Sequence, residues 1–523
     1  MRTRVGKFGP CVIVALGALL AAMGQAAFCG EPAWVGYGGP LGSRVYANAT
    51  PPTKTFKVAW TTPLPSWGHG QPLAIAGRVF VLAEPRPDQV FPCLSAYDQA
   101  TGKRLWERPL DHLAAAKAED ARKDLEAWFA NQAALLKQES GDRDPAAVKE
   151  HRKRAQALSD RCGFQYDNWR TVWCLEWGRT LCCIGEVFGT PVSDGKRVWV
   201  NTSWGGFFAF DLDGKTLWTT YAPRPRFYTS QGTQRARSLI LHKNLLICDQ
   251  FNFLRVFDAK TGRLLWSRDQ GKGVESMATP TVLTIGGKDV LITAGPAAYL
   301  LPEGKPLQVE GWDIPGMQLL PHPTERDVLL SCGCGEHCGW PGKGVHDTMP
   351  PAAWRFAWHG NLLKATRLWH SGDLPNVGAK GGEITMGGTK PWLMVHNNRL
   401  YHPSGAILDA LTGKILAGEI AARRARTAVP DTSHFLLWAN GHVYGLNKKG
   451  MAVCTDDGKP VATHTIEAPA LAPEQLKVIE WATGSENTLD SPRKGGDLSL
   501  SFTFTFDGKR IFVRSYMHLI CIE

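Results

Sequence analysis

The sequence predicts an all-β protein built by stacking one short repeated unit, interrupted once by an α-helical hairpin. Three observations predict it. First, one phrase recurs. Ala96–Trp106 reads AYDQATGKRLW and Val256–Trp266 reads VFDAKTGRLLW, each with an apolar residue and Asp, then Thr-Gly-basic, then Trp eight residues after the Asp. A third copy, Phe210–Trp218, is one residue shorter, and a fourth, Leu408–Ala417, has lost the Trp. Second, 20 Trp, 55 Gly and 34 Pro in 523 residues suit short strands, many turns and large aromatic plugs. Third, the apolar pattern of residues 111–160 changes to helical spacing.

Each phrase reads as a β-hairpin. An apolar strand ends at the Asp (Asp98, Asp211, Asp258, Asp409), whose carboxylate can accept from the turn backbone. The Gly (Gly102, Gly214, Gly262, Gly413) supplies the positive φ that the turn needs. The second strand carries Trp106, Trp218 or Trp266 to a buried face. One such unit cannot cover that face alone, so the units must stack. The copies resemble the tryptophan-docking repeats of the PQQ-like β-propeller family, over roughly residues 55–110 and 185–523. That family includes quinoprotein alcohol dehydrogenases and the non-catalytic outer-membrane assembly lipoprotein of the BamB type. The resemblance implies a propeller whose Trp residues pack between neighbouring blades.

Taken in order, residues 27–54 read as an extended lead-in rich in Gly and Pro, and the propeller as 55–523. Phe56, Val58 and Trp60 alternate as in a strand, and Leu73–Ala83 and Cys93–Trp106 complete a first blade. The insertion follows. Its first helix runs from Asp111 to about Lys137, and its second starts at Asp144-Pro145, an N-cap followed by a first-turn proline. It reads as a strut packed on the propeller; the basic run Lys149–Arg154 offers a docking arm as the alternative. Blade signals then continue to the end, where Leu498–Phe506, Arg510–Ser515 and Leu519–Ile522 make three strands without a fourth. The strand at 55–61 can supply it and remove the exposed edge, giving eight four-stranded antiparallel blades, with seven as the alternative.

Residues 1–26 read as a signal peptide: Arg2, Arg4 and Lys7 precede an apolar stretch from Cys11 to Met23, too short for a membrane span. Cys29 raises lipidation, but Phe28 stands where a lipobox wants a small residue. The formal net charge of +11 loses Arg2, Arg4 and Lys7 with that segment, leaving +8, scattered rather than clustered. No nucleic-acid module is recognisable, and no later run is apolar enough to span a bilayer. Thirteen cysteines in an exported chain, twelve without Cys11, invite disulfides of undefined connectivity.

Two cysteine groups are candidate sites. The resemblance implies that Cys182-Cys183 corresponds to the vicinal cysteine pair over the quinone of the alcohol dehydrogenases, and Gly189 matches too. Phe188 stands at the Arg position, however, and no calcium-binding Glu and Asn set or catalytic Asp is identifiable. Cys332, Cys334, His337 and Cys338 have metal-like spacing, although disulfides suit an oxidising compartment better. His69, His322, His346 and His370, with Glu383 or Asp347, are the candidates for acid–base pairs. The expectation is an exported, non-catalytic binding or scaffold protein of the periplasm or cell envelope, a monomer with a protein or envelope partner and no cofactor. The alternative is a PQQ- and calcium-dependent quinoprotein oxidoreductase.

Overall fold

The computed structural model describes residues 34–140, 144–162, 189–222, 238–270, 279–312, 318–332, 351–370, 393–418, 436–483 and 503–523, less positions 69, 87, 90, 203–204, 251–252, 294–296, 402–405, 448–449, 468 and 516. Eight antiparallel sheets follow one another along the chain as the blades of a β-propeller. Blades 1 to 7 take residues 73–109, 192–221, 240–269, 281–307, 318–370, 394–417 and 436–464. Blade 8 pairs Thr503–Asp507, Arg510–Arg514 and His518–Ile522 with Val58–Pro63, so strands from the two ends of the sequence close the ring. The closing strand starts at Val58, three residues later than its sequence pattern suggests.

Within each blade the first strand lies innermost. First strands of neighbouring blades touch one another, as Thr503–Asp507 does Leu73–Ile75 and Met394–His396 does Leu436–Ala439. Fourth strands such as Arg104–Pro109 lie at the rim. The core sits between blades, in clusters that each draw on two or three neighbouring sheets.

The repeated phrase builds the joint between blades. Asp98 Oδ1 accepts from the backbone of Ala100 and Thr101 and from Thr101 Oγ1, and Asp258 and Asp409 repeat all three contacts. A register shift between third and fourth strands occurs in seven blades, blade 4 being the exception, and in blades 1, 2, 3, 6 and 7 it lies beside the turn. Such a bulge adds local twist. The Trp of one blade then lies flat on the turn Gly of the next. A Cβ on Gly262 would stand 2.4 Å from the Trp218 ring, and one on Gly214 2.7 Å from Trp106. The indole N–H donates to a carbonyl of the same turn, Trp106 to Leu212 O at 3.0 Å and Trp218 to Ala259 O at 3.0 Å. Trp266 lies on Gly304, Trp60 on Gly102 and Trp369 on Gly413 in the same manner.

Sequence reading missed Trp60, Trp369 and Gly304 in this role. A signal for Trp369 existed: it bonds a carbonyl 41 residues ahead, the same interval as Trp218.

Where the docking Trp is absent, other joints replace it. From blade 4 to blade 5 the contact runs backward, Trp358 donating to Ile285 O at 2.8 Å. From blade 6 to blade 7, where Ala417 stands in place of Trp, Asp456 Oδ1 accepts from Tyr401 Oη at 2.5 Å and Trp438 Nε1 at 2.8 Å, while Arg399 donates to the Asp456 carbonyl.

Candidate functional site

Alternating strand direction sorts the connections onto two faces. One face carries the tight turns between first and second strands and between third and fourth. The other receives every connection between blades, plus the link between second and third strands. The described residues within 110–162, 189–191 and 465–483, and the strand ends at His370, Ala417 and Cys332, therefore stand at this loop face.

The insertion stands here as three helices, α1 (His112–Ala115), α2 (Glu119–Ser140) and α3 (Pro145–Cys162). Asp111 caps α1, accepting from Leu113 N and Ala114 N. Leu125, Trp128 and Leu158 are buried with Ala116 and pack against Phe91 and Tyr221 of the ring. The hairpin is thus fastened to blades 1 and 2. Lys149, Lys153 and Arg154 are exposed on α3. A short further helix, α4 (Pro473–Thr483), lies on the same face, and its Gln475 donates to Met517 O.

His112 anchors the insertion. Its ring is fully buried beside Phe91 and Phe208, with Nε2 2.6 Å from Thr202 Oγ1. Burial holds its pKa at about 3, below the ordinary 6.5. Stability from this group is therefore complete above pH 6.5 and is lost as pH falls toward 3. A His112→Gln chain should lose less of its urea midpoint between about pH 7 and pH 4 than the wild type does. Equal losses would refute this account.

At the junction of blades 8 and 1, Arg514 is wholly buried and donates Nη1 to Gly70 O at 3.2 Å. Burial lowers its pKa to about 10. A Cβ on Gly68 would come within 2.3 Å of Arg514 Nη2, so glycine is what lets this connection lie against the guanidinium.

The axis is occupied by the chain itself. Val35–Gly36 and Gly39–Pro40 form a hairpin whose first strand pairs with Val192–Ser193, the innermost strand of blade 2. Val45–Tyr46 then pairs in parallel with Leu436–Ala439, the innermost strand of blade 7. Gln71 ties the hairpin to blade 8, accepting from Gly38 N at 2.9 Å and donating to Phe504 O at 2.9 Å. Arg44 is buried and donates to Tyr37 Oη at 3.2 Å; burial lowers its pKa and raises that of Tyr37. Tyr46 Oη lies 2.7 Å from Thr505 Oγ1, and its ring stands edge-on to Phe506. The sequence suggested only an extended lead-in. Its signal was the density of glycines at 36, 38, 39 and 42, which permits close backbone approach.

Most of the residues singled out from the sequence lie outside the described residues: the signal segment, Cys29, Cys182, Cys183, Cys334, His337, Cys338, His69, His346, Asp347 and Glu383. Cys332 ends the second strand of blade 5. His322 is buried in a first turn, accepting from Thr324 N and Glu325 N and bonding Asn398, whereas His370 ends a fourth strand on the opposite face. The two are not brought together. Cys93, Cys454 and Cys521 are free thiols, which corrects the expectation of disulfides for these three. Each is buried on a strand of a different blade, and burial pushes Cys93, Cys454 and Cys521 up to about 12. Among the described residues no group of three or more His, Cys, Asp or Glu is placed to hold a metal ion. No described helix is long and apolar enough to cross a membrane.

Ring, blade joint and repeat together define an eight-bladed β-propeller joined by Trp-on-Gly docking. Residues 52–148 and 174–313 match the family model described as outer membrane protein assembly factor BamB, so this part of the β-propeller carries PQQ-like repeats. Among solved structures, BamB from Moraxella catarrhalis aligns over 90% of this chain and 98% of its own, at 10% identity and a TM-score of 0.44. The quinohemoprotein alcohol dehydrogenase of Comamonas testosteroni aligns over 96% and 82%, at 11% identity and a TM-score of 0.44. That of Pseudomonas putida HK5 aligns over 94% and 80%, at 9% identity and a TM-score of 0.46. No curated protein matches the sequence.

Proposed function

We propose that this chain is an exported, non-catalytic propeller that acts as a binding or scaffold protein of the periplasm or cell envelope. The observation that carries the reading is the axis. Residues 34–46 fill it with backbone pairing and with the Tyr37, Arg44 and Tyr46 side chains. A central cofactor would need that space together with charged partners. The anchored helical hairpin and helix α4, both on the loop face, supply a surface for a protein partner. The family model's description, an assembly factor, agrees with that use.

Addition of PQQ with calcium to the purified mature chain should give no saturable absorbance change and no rise in Tm. Saturable binding with a raised Tm would overturn the reading in favour of a quinoprotein oxidoreductase and direct mutagenesis to Cys182 and Cys183. The mature N-terminus, read by mass, should be Ala27.

A further inference from the structure

Six of the eight innermost strands carry no added strand among the described residues; those of blades 2 and 7 do. Both additions come from one segment. It meets blade 2 at Val35↔Ser193 and blade 7 at Val45↔Trp438, with Trp438 N donating to Arg44 O at 2.9 Å. Between those points the contacts are specific. Trp34 packs on the cores of blades 2 and 3, Val35 on that of blades 1 and 2, and Tyr37 and Tyr46 on that of blades 7 and 8. The segment closes on itself through Arg44 N to Gly38 O at 2.7 Å and Leu41 N to Trp34 O at 3.0 Å.

These are the features of peptide recognition by strand addition: main-chain bonds to exposed edges give affinity, and pockets for selected side chains give specificity. We propose that the propeller axis is a binding site for an extended peptide, and that residues 34–46 are its occupant in cis. The required ligand pattern combines the segment's own turn with its fit to the ring. Position 39 must be glycine for the segment to keep its bound shape, because a Cβ there would clash with the ring of the segment's own Tyr46. Position 46 must be an aromatic with a polar tip, to reach both Phe506 and Thr505. Position 38 has φ +78 and a Cβ there would meet Gly42 O at 3.0 Å, which again selects glycine. The ligand class is an extended peptide with a Gly-Gly turn and a tyrosine seven residues on. The site stands whatever partner the outer surface binds.

The test starts from the folded full chain. A site-specific protease sequence inserted between the exposed residues Lys54 and Thr55 is cut after folding, which leaves the segment held only by the axis. A fluorescent peptide of residues 34–54 is then added. While the chain is uncut, the tethered segment competes at an effective concentration of about millimolar. Peptide at about 10 μM should therefore fill the cut protein to about one per chain and enter the uncut protein on the order of 100-fold less. The same peptide carrying Gly39→Val should not enter the cut protein. Failure of the wild-type peptide to enter, whether the cut segment stays or leaves, overturns the proposal. So does equal uptake by uncut chain, or equal uptake of the Gly39→Val peptide.

Discussion

Replacement of Trp218 by alanine should lower the unfolding free energy by about 3–5 kcal/mol, the range for a large aromatic removed from a packed site. The indole is only half exposed, covers Gly262, and spends its N–H on Ala259 O, which also accepts from the buried Trp199 at 2.8 Å. Gly262→Val should be comparably harmful for a complementary reason. Its φ is +71, and its side chain would occupy the volume that the Trp218 ring fills. The two changes break one joint, so the double variant should cost clearly less than the sum of the singles. Urea unfolding of the four chains measures this. Additive losses would show that ring and glycine do not act as a pair.

Asp456→Ala should cost about 2–4 kcal/mol, large for a residue on a turn. The joint between blades 6 and 7 has no docking Trp, and this carboxylate receives both Tyr401 Oη and Trp438 Nε1. Tyr401 is fully buried, and loss of the carboxylate leaves its hydroxyl only the longer bond to the Asp456 backbone carbonyl at 3.0 Å, while Trp438 Nε1 loses its acceptor. Tyr401→Phe should cost clearly less in the Asp456→Ala background than in the wild type, because the carboxylate bond that it deletes is already gone. If Tyr401→Phe costs the same in both backgrounds, the hydroxyl–carboxylate bond is not what holds this joint.

The fold was legible because its information is local and repeated. Asp98, Gly102 and Trp106 lie within one hairpin, so spacing alone exposes them, and three more copies remove the ambiguity of a single turn. The closing strand was legible because an unpaired edge at one end of the sequence needed an apolar strand from the other. The joints at Trp358 and Asp456 were not legible, since each is a contact between distant segments with no repeat to mark it. Nor was the axial segment: Val35 and Val45 add to edges whose availability depends on the assembled ring. The cysteine groups mark the converse case. Cys182-Cys183 is conspicuous as text, but its meaning depends on charged neighbours that no spacing rule supplies.

Ring closure also sets an order of events in time. Asn244 and Asp258 meet across 14 residues inside one hairpin, whereas Tyr46 and Thr505 meet across 459. That is five doublings of loop length at about 0.6 kcal/mol each, so the long closure costs roughly 3 kcal/mol more in chain entropy. Blades 1 to 7 can form as the chain lengthens, but blade 8 must wait for the last strands. Until then Val58–Pro63 holds an open edge, and an open edge invites pairing with another chain. The seam between the ends of the sequence is therefore both the slowest part of the ring to assemble and the place where a folding intermediate is most exposed to aggregation.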